Sequence, residues 1–262
     1  MTSTALSVAG VSRAVGEILR PVLDFIYPPR CPACGADIGA QAGLCLTCWS
    51  ALQVPNDAPG DQDSDRIIAA TMYCDLSRKL VLAFKHGGKI ALAPLLAQLI
   101  AARLGEPQTD RLIVPVPLHP LRLWRRGYNQ SALLAARLQA IGHGQLLIDG
   151  LQRIRATPSL DRRSRAERAA LLSGAIRAHP RRIAALHGRD VLLVDDVLTS
   201  GATTEACAAA LREAGAKRVT VTCFARVGGS GRKVMPDLIP STEHHGQPSK
   251  TNARDLEIPG VT

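Results

Sequence analysis

The sequence predicts an α/β protein: a mostly parallel sheet flanked by helices, preceded by a small cysteine-rich module. Three observations predict it. Short apolar strand patterns alternate with helical ones between residues 66 and 225. One strand, Val191–Val194, runs into two carboxylates and a small hydroxyl-rich loop that opens a helix. Two CxxC pairs stand close together before the first strand.

At 262 residues the chain has room for a medium domain and a small module. Hydrophobic residues make up 46% and aromatics only 3%, so the core must be built from Ala, Leu, Val and Ile. The net charge of +10, mostly from arginine, favours anionic partners: phosphorylated metabolites, nucleic acid or acidic membranes. A coding bias toward Arg and Ala is the alternative origin of that charge. Residues 1–27 place Leu6, Val11, Val15, Ile18, Leu19, Val22 and Leu23 at amphipathic-helix spacing, stopped by Pro28 and Pro29. Arg13, Glu17, Arg20 and Asp24 interrupt any signal-peptide core, and no apolar run is long enough to cross a membrane. A soluble, cytoplasmic protein with no membrane role is the expectation.

The cysteine module is assigned to 28–54. Cys31-Pro-Ala-Cys34 and Cys45-Leu-Thr-Cys48 are separated by ten residues. Each CxxC turn can offer two thiolates to one metal, and two turns complete a closed tetrahedral site with no open position for catalysis. So few residues cannot build a core, so the metal supplies the folding free energy. Structural Zn²⁺ is the reading; an iron–sulfur cluster or a redox dithiol pair are the alternatives. Cys74, Cys207 and Cys223 sit in apolar stretches as ordinary buried thiols. The polar stretch 55–64 reads as a linker.

The main domain is assigned to 65–227. Its expected elements are a strand at Arg66–Cys74, helices at Leu76–Phe84 and Ile90–Leu104, and a strand at Arg111–Val116. A basic loop at Leu118–Tyr128 and a helix at Gln130–Ile141 follow. Then come a strand at Leu146–Leu151, a short basic helix at Arg162–Leu172, the strand Asp190–Val194, the helix Thr203–Ala214 and a last strand at Arg218–Ala225. Residues 228–262 lack periodicity and read as a disordered tail.

The stretch VLLVDDVLTSGAT (191–203) carries the most chemistry. A buried strand delivers Asp195 and Asp196 to the sheet's carboxyl edge, where open α/β sheets bind ligands. The loop that follows turns backbone N–H groups and a helix dipole toward one point, which suits a phosphate. Gly201 lets the backbone come close, and Thr199, Ser200 and Thr203 add hydroxyl donors. The carboxylates need a partner with hydroxyls or a cation. A ribose 5-phosphate supplies hydroxyls at one end and phosphate at the other. On a second strand end, residues 111–130 contain four arginines and no acid, which suits a diphosphate; a solvated basic loop is the alternative.

Taken together, VLLVDDVLTSGAT, PVPLH…RRGYNQ and CPACG…CLTC closely resemble the ComF family, competence-associated proteins with a type I phosphoribosyltransferase fold and an N-terminal zinc ribbon. The resemblance covers about residues 25–227. It implies that Asp195 and Asp196 are catalytic and hold the ribose 2- and 3-hydroxyls of phosphoribosyl pyrophosphate (PRPP). It implies that Thr199, Ser200, Gly201, Ala202 and Thr203 wrap the 5-phosphate, and that His119, Arg122, Arg126 and Asn129 lie near the pyrophosphate or the reacting centre. Mg²⁺ is expected with PRPP, and Zn²⁺ on Cys31, Cys34, Cys45 and Cys48. Relatives of this fold often pair, so a homodimer is also expected. The sequence departs from the family pattern at Leu160, Leu171 and Ile176, where Gln, Asn and Phe are usual, and 151–190 hold ten arginines against three acids. That departure favours a second reading: a non-catalytic DNA uptake or processing factor that binds single-stranded DNA or a DNA-processing protein. Trp124, beside Arg125 and Arg126, either stacks on a base or packs inside. Lys85 reads as a surface lysine, with a phosphate contact as the alternative.

Overall fold

A computed structural model of the chain describes residues 28–39, 43–56, 67–86, 89–155, 174–228 and 231–233. The expected helix at 1–27, most of the linker, the basic helix at 162–172 and the tail beyond 233 lie outside the described residues.

In chain order, helix α1 (Leu46–Ser50) and strand β1 (Gln53–Pro55) end the cysteine module. Then come β2 (Ile67–Met72), α2 (Asp75–His86), α3 (Ala93–Leu104), β3 (Leu112–Pro115), α4 (Pro120–Arg126) and α5 (Gln130–Ala140). After them lie β4 (Gln145–Leu146), β5 (Leu151–Arg153), β6 (Ile176–Ala178), α6 (Ile183–Leu186), β7 (Asp190–Leu198), α7 (Ala202–Glu213), β8 (Arg218–Arg226) and β9 (Gly231–Lys233).

Among the described residues, β2-β8-β7-β3-β4 form one sheet in that order, and its pairings are parallel. Strand alternation divides its side chains between two layers. Ile113, Leu192, Val194 and Phe224 face Leu80 and Phe84 of α2, Leu96 and Ile100 of α3, and Leu134 and Leu138 of α5. Val114, Val191, Leu193 and Val221 face Cys207 and Leu211 of α7. With both faces covered, the central strands read as continuous apolar runs. Each fully buried Leu or Ile of these layers stabilises the fold by about 1.5–3 kcal/mol. Among the described residues, no helix is long and apolar enough to cross a membrane.

Four elements differ from the sequence reading. The expected basic loop at 118–128 contains α4. Its start is set by the His119 side chain, which accepts from the Leu121 N–H, and by Pro120 in the first turn; its end is set by Gly127 in the left-handed region at φ 76°. The expected strand 146–151 is two strands. Gln145–Leu146 extends the parallel ladder beside Leu112 and Ile113; a turn then closes with Gly150 N–H donating to Leu147 C=O, and Leu151–Arg153 pairs antiparallel with β6. Strand β7 runs on through both aspartates to Leu198, because β8 continues to pair with it as far as Arg226. The tail is not wholly irregular: Gly231–Lys233 pairs antiparallel with Gln53–Pro55.

Candidate functional site

The carboxyl end of β7 brings two half-buried to buried carboxylates to the sheet edge, each held from a different helix. Alternation sends Asp196 toward the layer of α2, where Lys85 Nζ lies 3.0 Å from its Oδ2. Asp195 Oδ1 accepts from Ser131 Oγ of α5 at 3.2 Å and from the Asp196 N–H at 2.8 Å. Among the described residues, the second oxygen of each carboxylate has no hydrogen-bond partner. Such a pair of open acceptors, one residue apart on a fixed strand, suits vicinal hydroxyls. Burial pushes the Asp195 carboxyl up, and the neighbouring Asp196 charge pushes it further. Lys85, the Asp196 N–H and Ser131 pull it partly back, so it rises from 3.8 to about 7.

The loop after β7 turns into α7 at Gly201, whose φ of 80° is left-handed and strained for any residue with a Cβ. No side chain caps the helix. The Thr204 hydroxyl instead donates back to Gly201 C=O at 2.8 Å. Ala202 is buried, Thr203 half-buried and Thr199 exposed. Asp195, Asp196 and the segment 199–203 therefore occupy one edge of one strand–turn–helix unit.

The basic segment reaches the same edge. Val116 N–H donates to Val194 C=O at 2.9 Å, so the chain leaving β3 runs beside the residue before Asp195. His119, at the start of α4, spends Nδ1 on the Leu121 N–H at 3.3 Å. Arg122 is half-buried and close enough to Arg153 for their charges to interact; burial first, and then that charge, hold the Arg153 guanidinium below its ordinary value, with Cys207 opposing. Arg126 donates to Gln130 Oε1 at 3.3 Å. Asn129 works as a cap: Oδ1 accepts from the Ser131 and Ala132 N–H groups, and Nδ2 donates to Val116 C=O. It thereby fixes Ser131, and through it Asp195. Trp124 does not pack; it is 85% exposed. Ser131 and Arg153 carried no sequence signal of a role here. Lys85 is not a surface lysine, being only 23% exposed and paired with Asp196.

The cysteine module forms a separate cluster. The four Sγ atoms of Cys31, Cys34, Cys45 and Cys48 lie within 4.8 Å of one another. A tetrahedral zinc with bonds near 2.3 Å needs sulfurs roughly 3.8 Å apart, so the cluster fits that ion with little adjustment. Burial works against ionisation of Cys31, but N–H donors of Cys45, Ala33 and Cys34 outweigh it and bring the thiol down to about 6. Burial and the neighbouring sulfurs push Cys48 up. Cys207 and Cys223 are fully buried thiols, and Cys74 is partly buried.

A cavity of about 550 Å³ lies at the opposite, amino-terminal edge of the sheet, against Asp110, Arg111, Arg189, Asp190 and Lys217. Of the four arginines of the basic segment 111–130 it takes Arg111, which stands at the other end of β3 from Arg122 and Arg126, and it touches none of the residues assigned to the ribose, phosphate or zinc.

Comparison with known proteins bears on both modules. A family model described as a double zinc ribbon domain matches residues 22–62, and one described as a phosphoribosyl transferase domain matches residues 150–242. Only four cysteines fall in the first stretch, enough for one Cys₄ site. The five-stranded sheet begins at β2, well before residue 150. The DNA utilization protein YhgH of Escherichia coli (strain K12) is 32% identical over 202 residues, covering 75% of this chain and 83% of its own. Competence protein F of Haemophilus influenzae is 29% identical over 210 residues, covering 76% and 85%. A hypoxanthine phosphoribosyltransferase of Staphylococcus aureus overlaps 52% of this chain and 73% of its own at 13% identity and a TM-score of 0.34. With a cysteine cluster shaped for zinc, a phosphoribosyl transferase domain and the relatives from Escherichia coli and Haemophilus influenzae, the chain belongs to the ComF family.

Proposed function

We propose that the protein binds PRPP at the carboxyl edge of β7 and transfers its phosphoribosyl group to a nucleophile, releasing pyrophosphate. The observation that carries this reading is the joining of two open carboxylates and a left-handed glycine turn on one strand–turn–helix unit. Asp195 and Asp196 accept the ribose 2- and 3-hydroxyls through their free oxygens. Residues Thr199, Ser200, Gly201, Ala202 and Thr203 receive the 5-phosphate on backbone N–H groups and hydroxyls. The bond from the anomeric carbon to pyrophosphate breaks as the bond to the nucleophile forms, through a transition state with oxocarbenium character. Mg²⁺ bound with PRPP would supply positive charge to the diphosphate, and His119, Arg122 and Arg126 would line its side of the site. Asn129 acts by placing Ser131. The protein is assigned to the cytoplasm and to a homodimer on the same reading.

The test is a calorimetric titration with PRPP and Mg²⁺, comparing the intact chain with Asp195→Asn/Asp196→Asn, followed by pyrophosphate release in the presence of candidate bases and amines. Saturable binding abolished by the double substitution supports the site. Binding that survives it removes the carboxylate grip from the reading.

A second reading is favoured by Trp124, which stands 85% exposed on a helix rich in arginine. The relatives' names speak of DNA utilization and competence. On this reading α4 stacks and neutralises single-stranded DNA. It predicts affinity that falls steeply with salt and quenching of Trp124 fluorescence. Salt-independent binding, or none at low salt, removes it.

A further inference from the structure

We infer that Lys85 sets ligand choice at the ribose site: its ammonium faces the group on the anomeric carbon and makes the site prefer a diphosphate there over a hydroxyl. The inference rests on the ribose-site reading above.

Helix α2 is anchored by Leu80, Val81 and Phe84, all nearly or fully buried. Its last turn is tied down by the Tyr128 hydroxyl, which donates to Phe84 C=O. The backbone that carries Lys85 is thus fixed on both sides, and the basic segment that holds Arg122 and Arg126 is fixed to it. Lys85 reaches Asp196 Oδ2 at 3.0 Å, with side-chain exposures of 23% and 12%. Both groups have given up most of their water, which separates this contact from an exposed rim pair.

Furanose geometry gives the ammonium a direction. When a carboxylate pair grips the 2- and 3-hydroxyls, the 5-phosphate leaves on one side and the anomeric substituent on the other. The loop 199–203 takes the phosphate side. The anomeric side then faces α2 and α4. A hydroxyl–carboxylate bond is about 2.7 Å long, so an ammonium on the same carboxylate stands one hydrogen-bond step from the anomeric substituent. A lysine has three donors, enough to keep Asp196 and to meet a diphosphate oxygen as well. Ribose 5-phosphate presents only a neutral hydroxyl at that point.

The experiment measures dissociation constants for PRPP and for ribose 5-phosphate, each with Mg²⁺, on the full-length wild type, K85M and K85R. K85M is expected to lose PRPP affinity by ~10-fold or more, the scale of one charged hydrogen bond, and to change ribose 5-phosphate affinity by less than about 3-fold. K85R is expected to recover most of the preference. Equal losses for both ligands would mean that Lys85 merely holds Asp196 in place, and unchanged constants would make the ion pair a bystander; either result overturns the inference alone. Wild-type protein that binds neither ligand overturns the ribose-site reading and this inference with it. Zinc content and thermal unfolding check that K85M folds, and K85Q takes its place if it does not.

Discussion

Replacing Asp195 with asparagine is expected to make the ligand-free protein more stable at neutral pH while removing its grip on ribose. The carboxyl rises from 3.8 to about 7 in the folded protein, chiefly through burial and then through the Asp196 charge. Below 3.8 both folded and unfolded chains hold the proton. Between 3.8 and 7 the folded chain keeps a proton that the unfolded chain has released, so stability falls as pH rises. Above 7 both are ionised and the full cost is present. Three pH units at about 1.4 kcal/mol each put that cost at up to about 4 kcal/mol. Asparagine is neutral throughout, nearly the same size, and its Oδ1 can still accept from Ser131 Oγ and the Asp196 N–H. The assay is urea unfolding of both proteins from pH 5 to pH 8. The advantage of the variant is expected to grow by roughly 2–3 kcal/mol across that range, moving its midpoint by about 1 M urea. His143, which burial and then the Arg111 charge hold below its ordinary value, titrates in both proteins and drops out of the difference. A gap that does not change with pH, or a variant less stable at pH 8, would refute the electrostatic account of the pair.

Gly201→Ala meets nothing closer than Glu205 Oε1 at 3.6 Å, so its cost is backbone strain alone: about 1–2 kcal/mol, or roughly 2–8 °C in thermal unfolding, with Gly201→Asn costing less. An unshifted melting temperature would deny the left-handed turn. The cysteine cluster is expected to hold one zinc per chain by elemental analysis; Cys48→Ser abolishes it and lowers the melting temperature, whereas an iron chromophore in the purified protein would overturn the zinc assignment.

The parts legible in the sequence were those fixed by local pattern. The buried strand before Asp195 and Asp196 is apolar on both faces because helices cover both, and that leaves a run of four residues that reads as a strand. Paired CxxC spacing announced the cysteine cluster for an equally local reason. Helix α4 was missed because its ends depend on one histidine cap and one left-handed glycine, while its apolar residues Leu121 and Leu123 face outward and give no amphipathic period. The roles of Lys85 and Ser131 were hidden for a different reason. They come from helices 111 and 64 residues away from their aspartates, and only the packing of α2 and α5 on the sheet brings them there. Strand β9 was invisible because three residues, Gly231–Lys233, carry no alternating pattern, and their pairing is with β1, 176 or more residues earlier in the chain.

The place of β8 in the sheet has a consequence for biosynthesis. Among the described residues β2 has no strand beside it in the sheet except β8, and its backbone meets Thr222 across 154 residues of chain. At roughly 5–20 residues per second of translation, β2 waits on the order of ten to thirty seconds before its neighbour emerges from the ribosome. During that interval an apolar strand stands unpaired in the nascent chain, a natural target for chaperones, and a transcript cut short before codon 218 yields a product that can never close its sheet.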